Sequence, residues 1–368
     1  MKEVHMSKIT RFTCLFLSFL LVSCGVALSP VPAITGSEAT ADTSVKEVAN
    51  NPTVNESMAL SEPGLYAVKH SELKFYDSTR GQEIEVSYWL PIKDGEPDLS
   101  GAPYPVIIYS HGGDVSDGMF HRFDNEQLLE HLVSYGYVAF APGHKTEKPL
   151  TFTDRPMDIL ALIDELDQLA EGEFVRLLDM NNISMIGTSA GSATALQMGG
   201  ARLDDNYLDT WCIENPGSMY CPSDLLNKYH QAVSETLLKD SEGLYYVKSD
   251  PRIRAVAILS PCFYPVFGKR GLAPVSLPII LLAPTRDGLC SYKNETVLMY
   301  NYLGSKDRFL INLIDGSHIS TFTTTRSQKI LFTAFFGYYI KNQEEYTQYL
   351  KDDYVNNLQG LSWGVYQP

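Results

Sequence analysis

Three residues spread along the chain, Ser189, Asp287 and His318, have the types and the order that acyl transfer needs. Ser189 stands at the centre of Gly187-Thr188-Ser189-Ala190-Gly191. A serine hydroxyl is a weak nucleophile at its free pKa, so it needs a base within hydrogen-bond reach, and that base needs an acid to orient it. The five-residue motif recurs by chance, and its flanks decide its weight. "ISMIG" (183–187) reads as a short strand and "SATALQMGGA" as a helix. That is the strand-turn-helix setting in which a nucleophile elbow holds its serine at the top of a sheet. Gly187 and Gly191 let the backbone crowd through the turn.

The partners are expected downstream in the order Ser, Asp, His. Asp287 follows the apolar run "LPIILLAP" in "TRDG", and His318 follows "RFLINLI" in "DGSH". Both stand at the carboxyl ends of strand candidates, the same edge as Ser189. Taken singly, an aspartate after a strand is an ordinary turn former and a lone histidine an ordinary surface or core residue. Their joint placement is what carries the reading. Only His230 and His318 follow Ser189, and His230 lies in an irregular stretch behind no strand. Asp315 is a rival acid, but three residues before His318 it suits the shaping of a turn.

A tetrahedral intermediate also needs two N–H donors for its oxyanion. Ala190, directly after the nucleophile at a helix N-terminus, is one candidate. Gly113, in "YSHGGD" behind "YPVII", is the other; the bland alternative there is a simple glycine turn.

The elements that must position these residues alternate along the chain. "IEVSYWLP" (84–91) alternates like a half-exposed strand, whereas "YPVIIYS" (104–110) and "YVAFAP" (137–142) are continuous apolar runs of buried-strand length. "NEQLLEHLVSYG" between them is an amphipathic helix closed by Gly136, and "RPMDILALIDELDQLA" (155–170) is a second, opened by Pro156. "IRAVAILS" (253–260), "LPIILLAP" (277–284) and "RFLINLI" (308–314) are further strands, before a C-terminal helix from about Thr324 to Leu350. Such alternation predicts a mainly parallel sheet with helices on both faces. Residues 203 to 250 break the rhythm as an insertion after the nucleophile helix, polar with scattered aromatics. It is either a cap over the strand ends or surface decoration. As a cap, its polar composition suits a small or partly polar ester better than a long acyl chain.

With these stretches in place the chain resembles the α/β-hydrolase fold, and within it the group of platelet-activating factor acetylhydrolases, dienelactone-hydrolase-like esterases and cutinase-like polyester hydrolases. The resemblance runs from about 104 to 322 through "PVIIYSHGG", "HLVSYGYVAFAPGHK", "RPMDILALIDEL", "ISMIGTSAGSATAL", "DPRIRAVAILSP", "LPIILLAPTRDG" and "INLIDGSHISTF". It implies Ser189 as nucleophile, Asp287 as acid, His318 as base and Gly113 and Ala190 as oxyanion donors, with no cofactor. Thr188 departs from the histidine common before the nucleophile and Ser192 from a frequent second glycine. Ser189 replaces the cysteine of true dienelactone hydrolases, which argues against dienelactone chemistry. "TSAG" is also similar to hormone-sensitive-lipase-like esterases, whose H-G-G-G is here H-G-G-D. The expected activity is hydrolysis of small-molecule or lipid carboxylic esters through an acyl-enzyme. The alternatives are a lipase or phospholipid acyl hydrolase, and a catalytically silent binding protein on the same fold.

Composition narrows the partners. At 368 residues, 44% hydrophobic and 20% charged, the chain is long enough for one elaborated α/β domain. A formal net charge of -15 with no cluster of Lys and Arg excludes a nucleic-acid partner, and gives no attraction to anionic lipid. Oligomeric state is not encoded in any pattern of the sequence.

Lys2, Lys8 and Arg11 precede an apolar run from Phe12 to Val22, too short to span a bilayer and matching a secretory signal. The run ends in "LVSC", which resembles the lipobox of bacterial lipoproteins. That implies a signal over 1–23 and lipidation of Cys24 on the cell envelope; residues 24–60, rich in Ala, Ser, Thr, Glu, Val and Pro with no sustained period, read as a flexible tether, and 61–368 as the catalytic domain. An ordinary signal peptide with a chance cysteine would instead give a secreted protein. Export permits disulfides among Cys212, Cys221, Cys262 and Cys290. Cys212 and Cys221 flank a turn-rich loop and suit a local bridge; Cys262 and Cys290 meet if the strands before them are neighbours, and are otherwise free buried thiols. No spacing among them suggests zinc.

Overall fold

The computed structural model describes residues 60–113, 124–145 and 150–367, all within one compact unit running from 51 to 368. The candidate signal, Cys24 and the tether lie outside the described residues, apart from Leu60. Leu60 is buried and its carbonyl faces His131 Nε2 at 3.0 Å, so it packs with the domain.

In chain order the first half holds β1 (Ala67–Asp77), β2 (Gln82–Lys93), β3 (Glu96–Pro97), β4 (Tyr104–Ser110), α1 (Glu126–Ser134), β5 (Val138–Pro142), α2 (Asp154–Glu171), β6 (Leu178–Thr188) and α3 (Ala190–Met198). The insertion supplies α4 (Asp205–Glu214), α5 (Ser223–Thr236), β7 (Leu238–Lys239) and β8 (Tyr245–Tyr246). The chain then continues through β9 (Ile253–Leu259), α6 (Tyr264–Leu272), β10 (Ile279–Pro284), α7 (Val297–Tyr302), β11 (Arg308–Leu313), α8 (Arg326–Lys341), α9 (Asp352–Asn356) and β12 (Leu361–Trp363).

The main sheet runs β1-β2-β5-β4-β6-β9-β10-β11-β12, with β3 on β2. From β5 to β11 every pairing is parallel, while β1, β2 and β12 are antiparallel additions at the edges. The parallel strands are buried on both faces, which is why their sequences read as unbroken apolar runs. Successive side chains serve opposite cores: Val106 and Ile108 face one, Ile107 and Tyr109 the other. The first core takes Ile159, Leu162, Ile163 and Leu166 of α2 and Leu196 of α3; the second takes Leu128, Leu129 and Leu132 of α1 with Phe332, Phe335 and Phe336 of α8. Each fully buried Leu, Ile or Phe of these layers contributes about 1.5–3 kcal/mol.

Two expectations need correction. The C-terminal helix ends at Lys341, not near Leu350: Asn342 turns left-handed at φ 56°, and the Tyr346 ring folds back onto Gly337, where a Cβ would lie 2.3 Å from it. The insertion is also more ordered than its polar sequence suggests. Asp204 caps α4 by accepting from the Tyr207 amide at 3.2 Å and pairs with Arg270 at 2.7 Å, and a Cys212–Cys221 bridge ties the end of α4 to the loop before α5. Among the described residues no helix is long and apolar enough to cross a membrane.

Candidate active site

The parallel strands end together. Ser110 of β4 pairs in register with Gly187 of β6, Thr188 with Leu259 of β9, and Pro284 of β10 with Leu313 of β11. The loops that follow these ends carry Gly113, Ser189, Cys262, Asp287 and His318, so topology alone gathers them at one edge.

Ser189 sits between β6 and α3 at φ 51°, ψ −114°, a conformation that is costly for a non-glycine residue. The neighbours explain why it is accepted. A Cβ on Gly187 would lie 2.2 Å from the Gly191 carbonyl oxygen, and one on Gly191 would lie 1.9 Å from the Ser110 oxygen. The motif's glycines are therefore contact requirements between β4, β6 and α3. The Ser189 amide donates to the Leu259 carbonyl at 2.9 Å, which ties the turn to β9. Ser192 Oγ donates to the Ser189 carbonyl and accepts from the Cys262 amide at 3.2 Å. Thr188 Oγ1 meets Tyr109 Oη and Asn125 Nδ2, both at 3.3 Å. Both departures from the usual motif thus have structural partners.

Ser189 Oγ lies 2.8 Å from His318 Nε2, and His318 Nδ1 lies 2.7 Å from Asp287 Oδ2. Asp287 Oδ1 accepts from the amides of Leu289 and Cys290 at 2.8 and 2.9 Å, and the carboxylate side chain is 2% exposed. A carboxylate that only accepts leaves Nδ1 as the donor, so Nε2 carries the lone pair that faces the serine hydroxyl. His318 is held in turn by its carbonyl, which accepts from Ser260 Oγ at 2.6 Å. The rivals lie elsewhere: Asp315 pairs with Arg286 on the surface at 2.8 Å, and His230 bridges Asp205 and Asp209 within the insertion.

The loop after β4 is oriented by groups that sequence reading did not single out. His111 Nδ1 lies 2.7 Å from the Gly112 carbonyl, and His111 Nε2 accepts from the His144 amide at 3.2 Å. Because C=O and N–H of one peptide unit point in opposite directions, fixing the Gly112 oxygen against His111 turns the Gly113 N–H the other way. Gly113, Ser189, Ala190 and His318 all line one cavity. Arg155, fully buried, donates to the carbonyls of His111 (2.6 Å) and Gly113. Behind it, Asp158 meets His144 Nδ1 at 2.7 Å and Arg80 at 2.8 Å; burial lowers the His144 pKa, and His144 Nε2 faces Ser110 Oγ at 3.0 Å. The available signal was in α2, where Arg155 and Asp158 fall on the apolar stripe with Ile159 and Leu162.

The cavity has a volume of about 210 Å³. Its walls correct the view of the insertion as a polar cap: Leu208, Met219, Leu225 and Leu226 face inward, opposite Phe152, Phe263 and Val266 of the main domain. Asp224, Asn227, Lys228, Gln231 and Glu235 of α5 are exposed, as the 3.6-residue period of that helix allows. A bridge joins Cys262 to Cys290 at the cavity wall, beside the triad candidates. With both cysteine pairs bridged, the one grouping of metal-binding residue types among the described residues, Cys262, Cys290 and His318, has no thiolates to offer.

Comparison with known families bears on residues 96–269, which match the model of BD-FAE, a family of hydrolase-like esterases. The matched segment holds Gly113, Ser189 and Ala190 and ends before Asp287 and His318. With the mostly parallel sheet and its two helical layers, the match fits an α/β-hydrolase fold and an esterase or hydrolase type of function. No curated protein matches the chain.

Proposed function

We propose that this chain of α/β-hydrolase fold is an exported serine hydrolase that cleaves carboxylic esters through an acyl-enzyme. Ser189 Oγ attacks the ester carbonyl as His318 Nε2 takes its proton, and Asp287 keeps the imidazole in the required tautomer and stabilises its charged form. The Gly113 and Ala190 amides receive the oxyanion, the second with help from the N-terminal dipole of α3. His318 then returns the proton to the leaving alcohol, and water resolves the acyl-enzyme by the same steps. No cofactor is required.

The supporting observation is the unbroken hydrogen-bonded series from Ser189 Oγ through His318 to Asp287, at 2.8 and 2.7 Å, opening on a largely apolar cavity. The apolar walls also favour a second reading, an acyl hydrolase for lipid esters. A catalytically silent binding protein is disfavoured by the hydrogen bonds that join Ser189, His318 and Asp287 without a gap. Turnover of chromogenic esters of graded acyl length, with phosphonate labelling, tests the proposal. Labelling should fall on Ser189; labelling elsewhere, or no turnover of any ester, would sink it.

Export and lipid attachment at Cys24 belong to the same proposal, and the two disulfides support export. Cys24→Ser should release the protein from the membrane fraction or block its maturation.

A further inference from the structure

The cavity is lined by a row of four aromatic side chains, two from the insertion and two from the main domain. Tyr220 packs on Phe263 at 5.6 Å between centroids, Phe263 on Phe152 at 5.2 Å, and Phe152 on Tyr229 at 5.6 Å. All four line the cavity. The two tyrosines are anchored by their hydroxyls: Tyr229 donates to Asp205 at 3.0 Å and Tyr220 to Glu295 at 2.7 Å. Each hydroxyl thereby has its partner in a carboxylate that does not line the cavity.

Glu295 is the unusual member. It is 5% exposed and stands in a one-turn π-helix, Tyr292–Thr296, just beyond the Asp287 loop, a feature enriched at functional sites. Its Oε2 accepts both from Tyr220 and from the Phe263 amide at 3.0 Å, and its Oε1 accepts from the Ser291 amide at 3.2 Å. Phe263 is held at φ 73°, a left-handed conformation that a bulky residue rarely adopts. One carboxylate thus fixes a ring of the insertion and a strained ring of the main domain on the same stretch of wall. A buried carboxylate is expensive to keep, and nothing in the triad uses this one.

We infer that Glu295 is a specificity-determining positioning residue, fixing Tyr220 and Phe263 so that the cavity takes an ester with an apolar moiety of bounded size. The inference rests on the ester hydrolase reading. The volume, about 210 Å³, lies below the ~300–1,000 Å³ of drug-sized sites. It holds a medium chain, and a sixteen-carbon one would have to extend out of it. Among the described residues lining it there is no Lys, Arg, Asp or Glu, and apolar and aromatic side chains predominate.

The test is kcat/KM for acetyl, octanoyl and palmitoyl esters of one alcohol, in the wild type, Glu295→Ala, Glu295→Gln and Tyr220→Phe. Wild type should favour octanoyl. Glu295→Ala should lower the octanoyl value at least tenfold more than the acetyl value, chiefly through KM, and Glu295→Gln should recover part of the loss. Tyr220→Phe removes one hydroxyl without emptying the wall, and should reproduce the octanoyl-selective loss even if Glu295→Ala folds poorly. Equal losses on all three esters, or none, would overturn the inference while leaving the hydrolase reading intact. Absence of turnover in the wild type would overturn both.

Discussion

Gly191 and Ser110 touch where the Ser189 turn crosses the end of β4: a Cβ on Gly191 would lie 1.9 Å from the Ser110 carbonyl oxygen and 2.9 Å from that of His111. The contact fixes the distance between the turn bearing Ser189 and the loop bearing Gly113. Gly191→Ala forces backbone apart from backbone, which no side-chain rotation relieves. It should destabilise the fold by about 3 kcal/mol or more, in the range of severe core disruption. Chemical denaturation measures this, and a change under 1 kcal/mol would mean that the close approach is not needed.

The acid assignment separates two aspartates. Asp287→Asn should lower kcat on a chromogenic ester by about 10⁴-fold, because the amide favours the wrong imidazole tautomer. Asp315 meets Arg286 in a solvent-exposed pair, so Asp315→Asn should leave kcat within twofold and stability within about 0.5 kcal/mol. Reversal of that order would move the acid role to Asp315.

The legible parts of the chain were those with a strong local signature. Buried parallel strands announce themselves as apolar runs, and Ser189, Asp287 and His318 each follow one, so their meeting could be read from topology. What escaped was set by contacts between distant segments. Arg155 and His111 look ordinary until the loop after β4 is seen resting on α2, and Glu295 has no sequence signal that links it to Tyr220, 75 residues away. The inward face of the insertion was obscured because composition averages over both faces of α5. Edge strand β12, three residues long, has no periodicity to detect.

Arg155 offers a test of the proposed oxyanion role of the loop after β4, apart from the proposed triad. Its guanidinium spans the carbonyls of His111 and Gly113, a two-point contact that a lysine ammonium does not reproduce. Arg155→Lys should lower kcat by about 10- to 100-fold with KM little changed, since the loss falls on stabilisation of developing charge. Phosphonate labelling of Ser189 should slow in parallel. An unchanged kcat would dissociate Arg155 from the loop's function.

Glu295 carries the clearest pH signature for stability. Burial is the largest influence on its carboxyl and raises its pKa from 4.5 to about 7; Asp287 adds repulsion, while hydrogen bonds from Tyr220, Phe263 and Ser291 act in the opposite direction. An acid whose folded pKa is raised binds more protons folded than unfolded between those two values. Its contribution is therefore fully present below about 4.5 and is lost as pH rises through about 7. The displacement corresponds to about 3 kcal/mol. Glu295→Gln has no charge to bury, so the wild type should lose stability relative to this variant between pH 5 and 8, by an amount of that order. Urea denaturation of both proteins at pH 5, 6, 7 and 8 gives the difference directly. A difference that stays flat across this range would mean that Glu295 keeps an ordinary carboxylate pKa in the folded chain, and that its three hydrogen bonds fully offset its burial.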